Sequence, residues 1–145
     1  MKIVYMGTPD FAVPALQSLH QSSHQVLAVV TGPDKPAGRG RKVLSPPVKS
    51  TALELDYAVM QPINLGDPAF QGRIADLKAE LLVVVAFRIL PDSLLAITRL
   101  GAVNLHPSLL PKYRGAAPIQ HCLLNGETMT GITTITLSNR IDAGH

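Results

Sequence analysis

"ELLVVVAF", residues 80–87, is apolar at every position after Glu80, and three of its residues are valine. A strand with one wet face would alternate apolar and polar residues, and this run does not. It reads as a strand covered on both faces, the kind found at the centre of a parallel sheet with helices above and below. The chain on either side of it fits. "PAFQGRIADLKA" (68–79) has helical spacing before it, and "PDSLLAITR" (91–99) opens a short helix with Pro91 after it.

Further out, strands and helices keep alternating. "KIVYM" (2–6), "QVLAVVT" (25–31), "YAVMQP" (57–62) and "GAVNLH" (101–106) read as strands. Apolar residues at 11, 12, 15, 16 and 19 predict a helix with Asp10 as its N-cap and Pro14 in its first turn. Further helices are predicted over 47–56 and over 117–126, the latter closed by Asn125-Gly126. "GITTITLS" (131–138) alternates, as a half-exposed or antiparallel edge strand does. This order predicts an α/β, doubly wound, mostly parallel, Rossmann-like sheet. Such sheets hold ligands at the carboxyl ends of their strands, near the switch in strand order. Gly7-Thr8, Ala86-Phe87-Arg88 and Asn104-Leu105-His106 are expected to converge there. "MGTPDFA" after the first strand has one glycine where a dinucleotide turn needs G-x-G-x-x-G, and no Walker pattern occurs.

The 145 residues suit one domain, and with 46% apolar and 16% charged residues the chain can bury a core. Net charge is +3, but Lys35, Arg39, Arg41, Lys42 and Lys49 crowd one proline- and glycine-rich segment. Residues 32–47 are expected to be a long loop, and the basic stretch 33–49 to be solvated and unable to bury itself as a helix or strand. Cys122 is the only cysteine, which suits a reducing, cytoplasmic setting. No apolar run approaches the ~20 residues of a membrane span, so no membrane partner is expected.

Asn104 and His106 are two apart on one strand, so they share a face. An amide and an imidazole side by side can hold the oxygen of one carbonyl as negative charge develops on it. A carboxylate behind the histidine would favour its charged form. Asp10, Asp34, Asp92 and Asp142 are the candidates, and the glycine-ended turn "NRIDAGH" could bring Asp142 back towards His106. No serine elbow is present and no cluster has metal-ligand spacing, so acyl-type transfer without a protein nucleophile or a metal is expected.

"NLHPSLLPKYRGAAPIQ" (104–120) resembles the signature of the folate-dependent formyltransferases. "MGTPDFAVPAL" (6–16), "PDKPAGRGRKVLSPPVK" (33–49) and "RIDAG" (140–144) narrow the resemblance to the methionyl-tRNA branch of that family. The resemblance implies a formyltransferase fold over residues 1–145 and transfer of formyl from 10-formyltetrahydrofolate to the α-amino group of initiator methionyl-tRNA. By motif position it makes Asn104, His106 and Asp142 the catalytic set. It places Phe87, Arg88, Ile89 and Leu90, with Ser108, Leu109, Leu110 and Pro111, around the folate, and turns Arg39, Arg41 and Lys42 towards the tRNA. Where many members carry an aromatic-glycine pair, this chain has Phe87-Arg88. The family continues past the position of His145 into a tRNA-binding domain, so a C-terminally incomplete catalytic domain is expected, acting as a monomer. The alternatives are another 10-formyltetrahydrofolate-dependent formyltransferase, or an inactive truncated fragment.

Overall fold

The computed structural model describes residues 1–37 and 42–137. Its centre is the valine-rich run: β6 (Leu81–Val85) is buried at all five positions and lies between β1 (Lys2–Gly7) and β7 (Ala102–His106). β2 (Gln25–Val30) flanks β1 on the other side, and a short β5 (Val59–Met60) flanks β2. These five strands are parallel. β8 (Thr133–Thr136) completes the sheet antiparallel to β7, as its alternation predicts, with Asn104 opposite Ile135 and His106 opposite Thr133. The order β5-β2-β1-β6-β7-β8 reverses direction between β1 and β6, which is the expected switch point.

Side-chain alternation gives the sheet two cores. Val4, Met6, Leu82 and Val84 face α3 (Pro68–Asp76) and α4 (Asp92–Leu95), through Phe70, Ile74 and Leu94. Ile3, Tyr5, Val83 and Val85 face α1 (Val13–His20) and α2 (Pro47–Glu54), through Leu16, Val48 and Ala52. Each large apolar side chain removed from water here contributes about 1.5–3 kcal/mol. The Asp67 carboxylate caps α3 by accepting from the Phe70 amide at 3.2 Å. α5 (Pro118–Leu124) is bound more loosely: Cys122 is buried, while Leu123 and Leu124 are 70% and 82% exposed.

Two expectations are corrected. Asp10 does not cap α1; it starts a short 3-10 turn, Asp10–Ala12, that runs into the helix. The Tyr5 phenol donates to the Ala12 carbonyl and ties that turn to β1, and burial pushes the phenol's pKa well up. The basic segment is not structureless, because its arms pair as an antiparallel hairpin of β3 (Lys35–Ala37) and β4 (Lys42–Leu44). Two strands make a ribbon without a core, and Val43 and Leu44 remain exposed. The base of the hairpin is held at the carboxyl end of the sheet. Lys49 Nζ donates to Asp34 at 2.6 Å, and Gln61 donates to the other Asp34 oxygen and to the Gly32 carbonyl, each at 2.8 Å.

Gly7 ends β1 where a Cβ would lie 2.8 Å from the Ala12 Cβ and 3.1 Å from the Val85 carbonyl oxygen. Gly7→Ala should therefore destabilise the fold by about 1–3 kcal/mol through overpacking. An unchanged urea midpoint would count against this packing. Asp34 is held below its ordinary value of 3.8, first by the Lys49 hydrogen bond and then by Gln61. A depressed carboxylate stabilises above its unfolded pKa, and that stability is lost as pH falls through the folded one. The stability gap between the parent and Asp34→Asn should be full at neutral pH and close as pH drops below 3.8. A pH-independent gap in paired denaturation curves would remove the ion pair as its cause.

Candidate active site

β6 and β7 end side by side, and a cavity of about 720 Å³ opens beyond them. One wall follows β6. Ala86, at φ 46°, turns the chain out of the sheet, and 86–91 form a rim with Leu90 anchored in the core and Ile89 exposed. Phe87, Arg88, Ile89 and Leu90 all line the cavity, where they are expected. The charged end of Arg88 is committed elsewhere. Its two terminal nitrogens donate to the Pro62 and Ile63 carbonyls at 2.7 and 2.8 Å, and its guanidinium lies 5.2 Å from the centre of the Phe87 ring. Arg88 thus clips the β5–α3 loop to the rim.

The facing wall is β7. Asn104 and His106 both line the cavity, as their spacing predicts, among mostly apolar neighbours such as Leu95 and Leu137. His106 is only 4% exposed. Its Nε2 lies 2.7 Å from the Tyr113 carbonyl oxygen, and a carbonyl only accepts, so Nε2 carries a proton.

The loop after β7 folds back on itself. Ser108 is fully buried, its hydroxyl donates to the Lys112 carbonyl at 2.7 Å, and its own carbonyl accepts from the Thr133 hydroxyl at 2.7 Å. Leu109 packs against Gly131, and the Leu110 amide donates to the Thr133 hydroxyl. Ser108 and the Leu110 amide thus face β8 and the loop's own interior, Leu109 is half exposed and Pro111 exposed, and none of these four, expected to border the pocket, is among the residues that line this cavity. The stretch from Gly115 to Pro118 lines it in their place. Tyr113, Gly115 and Ala117 all have positive φ, at 56°, 87° and 54°, which returns the chain over the cavity mouth.

Sequence reasoning passed over what holds that return. The Tyr113 phenol donates to Glu127 at 3.0 Å and accepts from the Asn125 amide at 3.2 Å, and Lys112 Nζ lies 3.1 Å from the same Glu127 oxygen. The Lys112 hydrogen bond, then that of Tyr113, holds the Glu127 carboxyl below its usual range, and Glu127 in turn raises Lys112. The available signal was an aromatic residue inside a glycine-ended loop.

Of the four aspartates weighed as partners for His106, Asp92 lines the cavity, Asp34 is engaged by Lys49 and Gln61, and Asp10 sits in the turn after β1. Asp142 lies outside the described residues, as do Arg39 and Arg41, while Lys42 is the first residue of β4. Among the described residues no group of three or more His, Cys, Asp or Glu side chains could hold a metal, and no helix is long and apolar enough to cross a membrane.

The cavity, with its amide–imidazole pair, sits in a chain that has clear relatives. A methionyl-tRNA formyltransferase of Bacteroides thetaiotaomicron is 54% identical over 144 residues, which are 99% of this chain and 45% of the relative. One from Moorella thermoacetica is 53% identical over 145 residues, 99% of this chain and 47% of the relative. The chain spans about half the length of the curated relatives it matches. Among solved structures, the phosphoribosylglycinamide formyltransferase of Streptococcus pneumoniae TIGR4 matches with a TM-score of 0.76 at 18% identity, over 99% of this chain and 77% of that one. The formyltetrahydrofolate deformylase of Pseudomonas syringae pv. tomato matches at 0.71 and 19%, over 99% of this chain and 48% of that one. At these identities the likeness is one of fold. The family model for formyl transferase matches residues 1–145 in full, and the chain belongs to that family.

Proposed function

We propose that residues 1–145 form the donor-binding part of a longer methionyl-tRNA formyltransferase, which moves a formyl group from 10-formyltetrahydrofolate to the α-amino group of initiator methionyl-tRNA. The observation that carries the reading is Asn104 beside a buried, protonated-Nε2 His106 in an apolar cavity at the carboxyl ends of β6 and β7. The printed names of the relatives at 53–54% identity support the acceptor.

In this reading the pterin lies against the 86–91 rim, and the formyl carbon faces Asn104 and His106. The free amine attacks that carbon, and the carbonyl oxygen gathers negative charge that the Asn104 amide and the His106 imidazolium hold. The C–N10 bond then breaks, the new amide nitrogen loses a proton and N10 gains one. Asp142 would favour the charged form of His106. The apolar lining strengthens each of these contacts by keeping the local dielectric low. In the sequence Arg39 and Arg41 fall between β3 and β4 and Lys42 opens β4, and the hairpin springs from the carboxyl end of β2, on the same end of the sheet as the cavity. The hairpin would meet the acceptor end of the tRNA.

The test is formyl transfer by the full-length protein, with initiator methionyl-tRNA and glycinamide ribonucleotide offered as acceptors. Transfer to the nucleotide alone would move the chain to another branch, and transfer to neither would make it a remnant. His106→Ala and Asn104→Ala should each lower kcat by about 100-fold or more, the loss expected for one donor to a developing oxyanion. A kcat near that of the parent in either variant would remove that residue from the chemistry. Replacing Arg39, Arg41 and Lys42 together with Ala should weaken tRNA binding and flatten its dependence on salt, because fewer counterions are released. Folate affinity should hold. Superimposable salt slopes for the parent and the triple variant would make the hairpin a passive connection.

A further inference from the structure

We propose that Tyr113 is a positioning residue for His106: its backbone carbonyl fixes the imidazole, and its phenol fixes the carbonyl. The proposal rests on the reading of His106 as a residue of formyl transfer and adds to it a residue outside the cavity lining.

The inference starts from backbone geometry. Tyr113 has φ 56°, a conformation that an aromatic L-residue keeps only where its surroundings hold it. That conformation turns its carbonyl oxygen to within 2.7 Å of His106 Nε2. A buried ring bonded to a fixed carbonyl loses its freedom to rotate, and its protonated nitrogen is set. The histidine's register thus depends on what keeps Tyr113 in place.

Three side chains do so, and all belong to the loop or to the end of α5. The phenol accepts from Asn125 and donates to Glu127, and Lys112 pairs with the same Glu127 oxygen. Glu127 is itself held, since its amide donates to the Cys122 carbonyl at 3.1 Å as the chain leaves α5. Cys122 is the buried residue of α5, so the chain of contacts runs from the imidazole to a helix seated on the domain. A tyrosine present only to fill space would not need a phenol bonded on both sides. Here the hydroxyl is the pivot: Tyr113→Phe keeps the ring and removes both bonds.

The experiment uses Tyr113→Phe, Glu127→Gln and Glu127→Ala. In the full-length protein, Tyr113→Phe should lower kcat about tenfold, by analogy with the low end of the loss when an outer hydrogen bond behind a metal-bound histidine is removed. The KM for 10-formyltetrahydrofolate should stay within about twofold. Glu127→Gln keeps an acceptor for the phenol and should retain more activity than Glu127→Ala. In ¹⁵N-labelled protein the His106 ring should show a slowly exchanging Nε2–H in the parent, and that signal should broaden in Tyr113→Phe. Parent-like kcat together with an unchanged His106 signal in Tyr113→Phe would overturn the proposal. So would equal losses in kcat and folate affinity with a lowered melting temperature, the signature of general loop damage. The ring signal is read without turnover. If the parent transfers no formyl group but the signal still responds to Tyr113→Phe, the positioning stands and the enzymatic reading falls.

Discussion

The site depends on one constraint, the burial of β6 on both faces. A strand closed above and below needs a neighbour on each edge, and β1 and β7 supply them in parallel. Parallel neighbours send their carboxyl ends the same way, so Val85 and His106 emerge at one end of the sheet. The chain must then leave that end through loops, and the space between the loops is the cavity. β8 pairs antiparallel with β7 and fastens the loop that follows it, through Thr133. Formyl chemistry, in this reading, is placed by packing before any polar contact is made.

Polar groups then set what packing leaves loose, and they work in layers. The histidine is aimed by a carbonyl, the carbonyl by a backbone conformation, and the conformation by a phenol between an amide and a carboxylate. On the opposite wall Arg88 does comparable work with its two bonds to loop carbonyls. Carbonyl groups that would otherwise face solvent become struts, and the rim keeps its shape without extra core. A buried polar bond is modest in net energy but costly to leave unmade, so such struts serve geometry more than stability.

Much of this was written in local pattern. β6 was legible because it refuses to alternate, β8 because it alternates, and the pairing of Asn104 with His106 because a strand has period two. What stayed hidden has no local signature. Arg88 finds its carbonyls 25 and 26 residues away, which no window along the chain reveals. Positive φ at Tyr113 and Ala117 falls on residues that composition does not mark for it; of the loop from Ser108 to Gly115 expected to border the pocket, Gly115 lines the cavity, and Ala116 to Pro118 follow it there. The hairpin was masked by its prolines and glycines, which announce turns more loudly than three-residue strands announce pairing.

The turn after β1 bears on what this strand order can accept. In dinucleotide-binding sheets of the same order, glycines open that turn and free amides greet a pyrophosphate. Here Ala12 fills the space over Gly7, its amide is spent on the Pro9 carbonyl, Pro14 has no N–H to offer, and Asp10 adds a negative charge. The turn therefore lacks the glycine-lined opening that a pyrophosphate needs, and a carboxylate side chain stands beside it. A phosphorylated ligand would find little to hold it there, whereas the mostly apolar crevice at the ends of β6 and β7 offers a different kind of surface at the same end of the sheet.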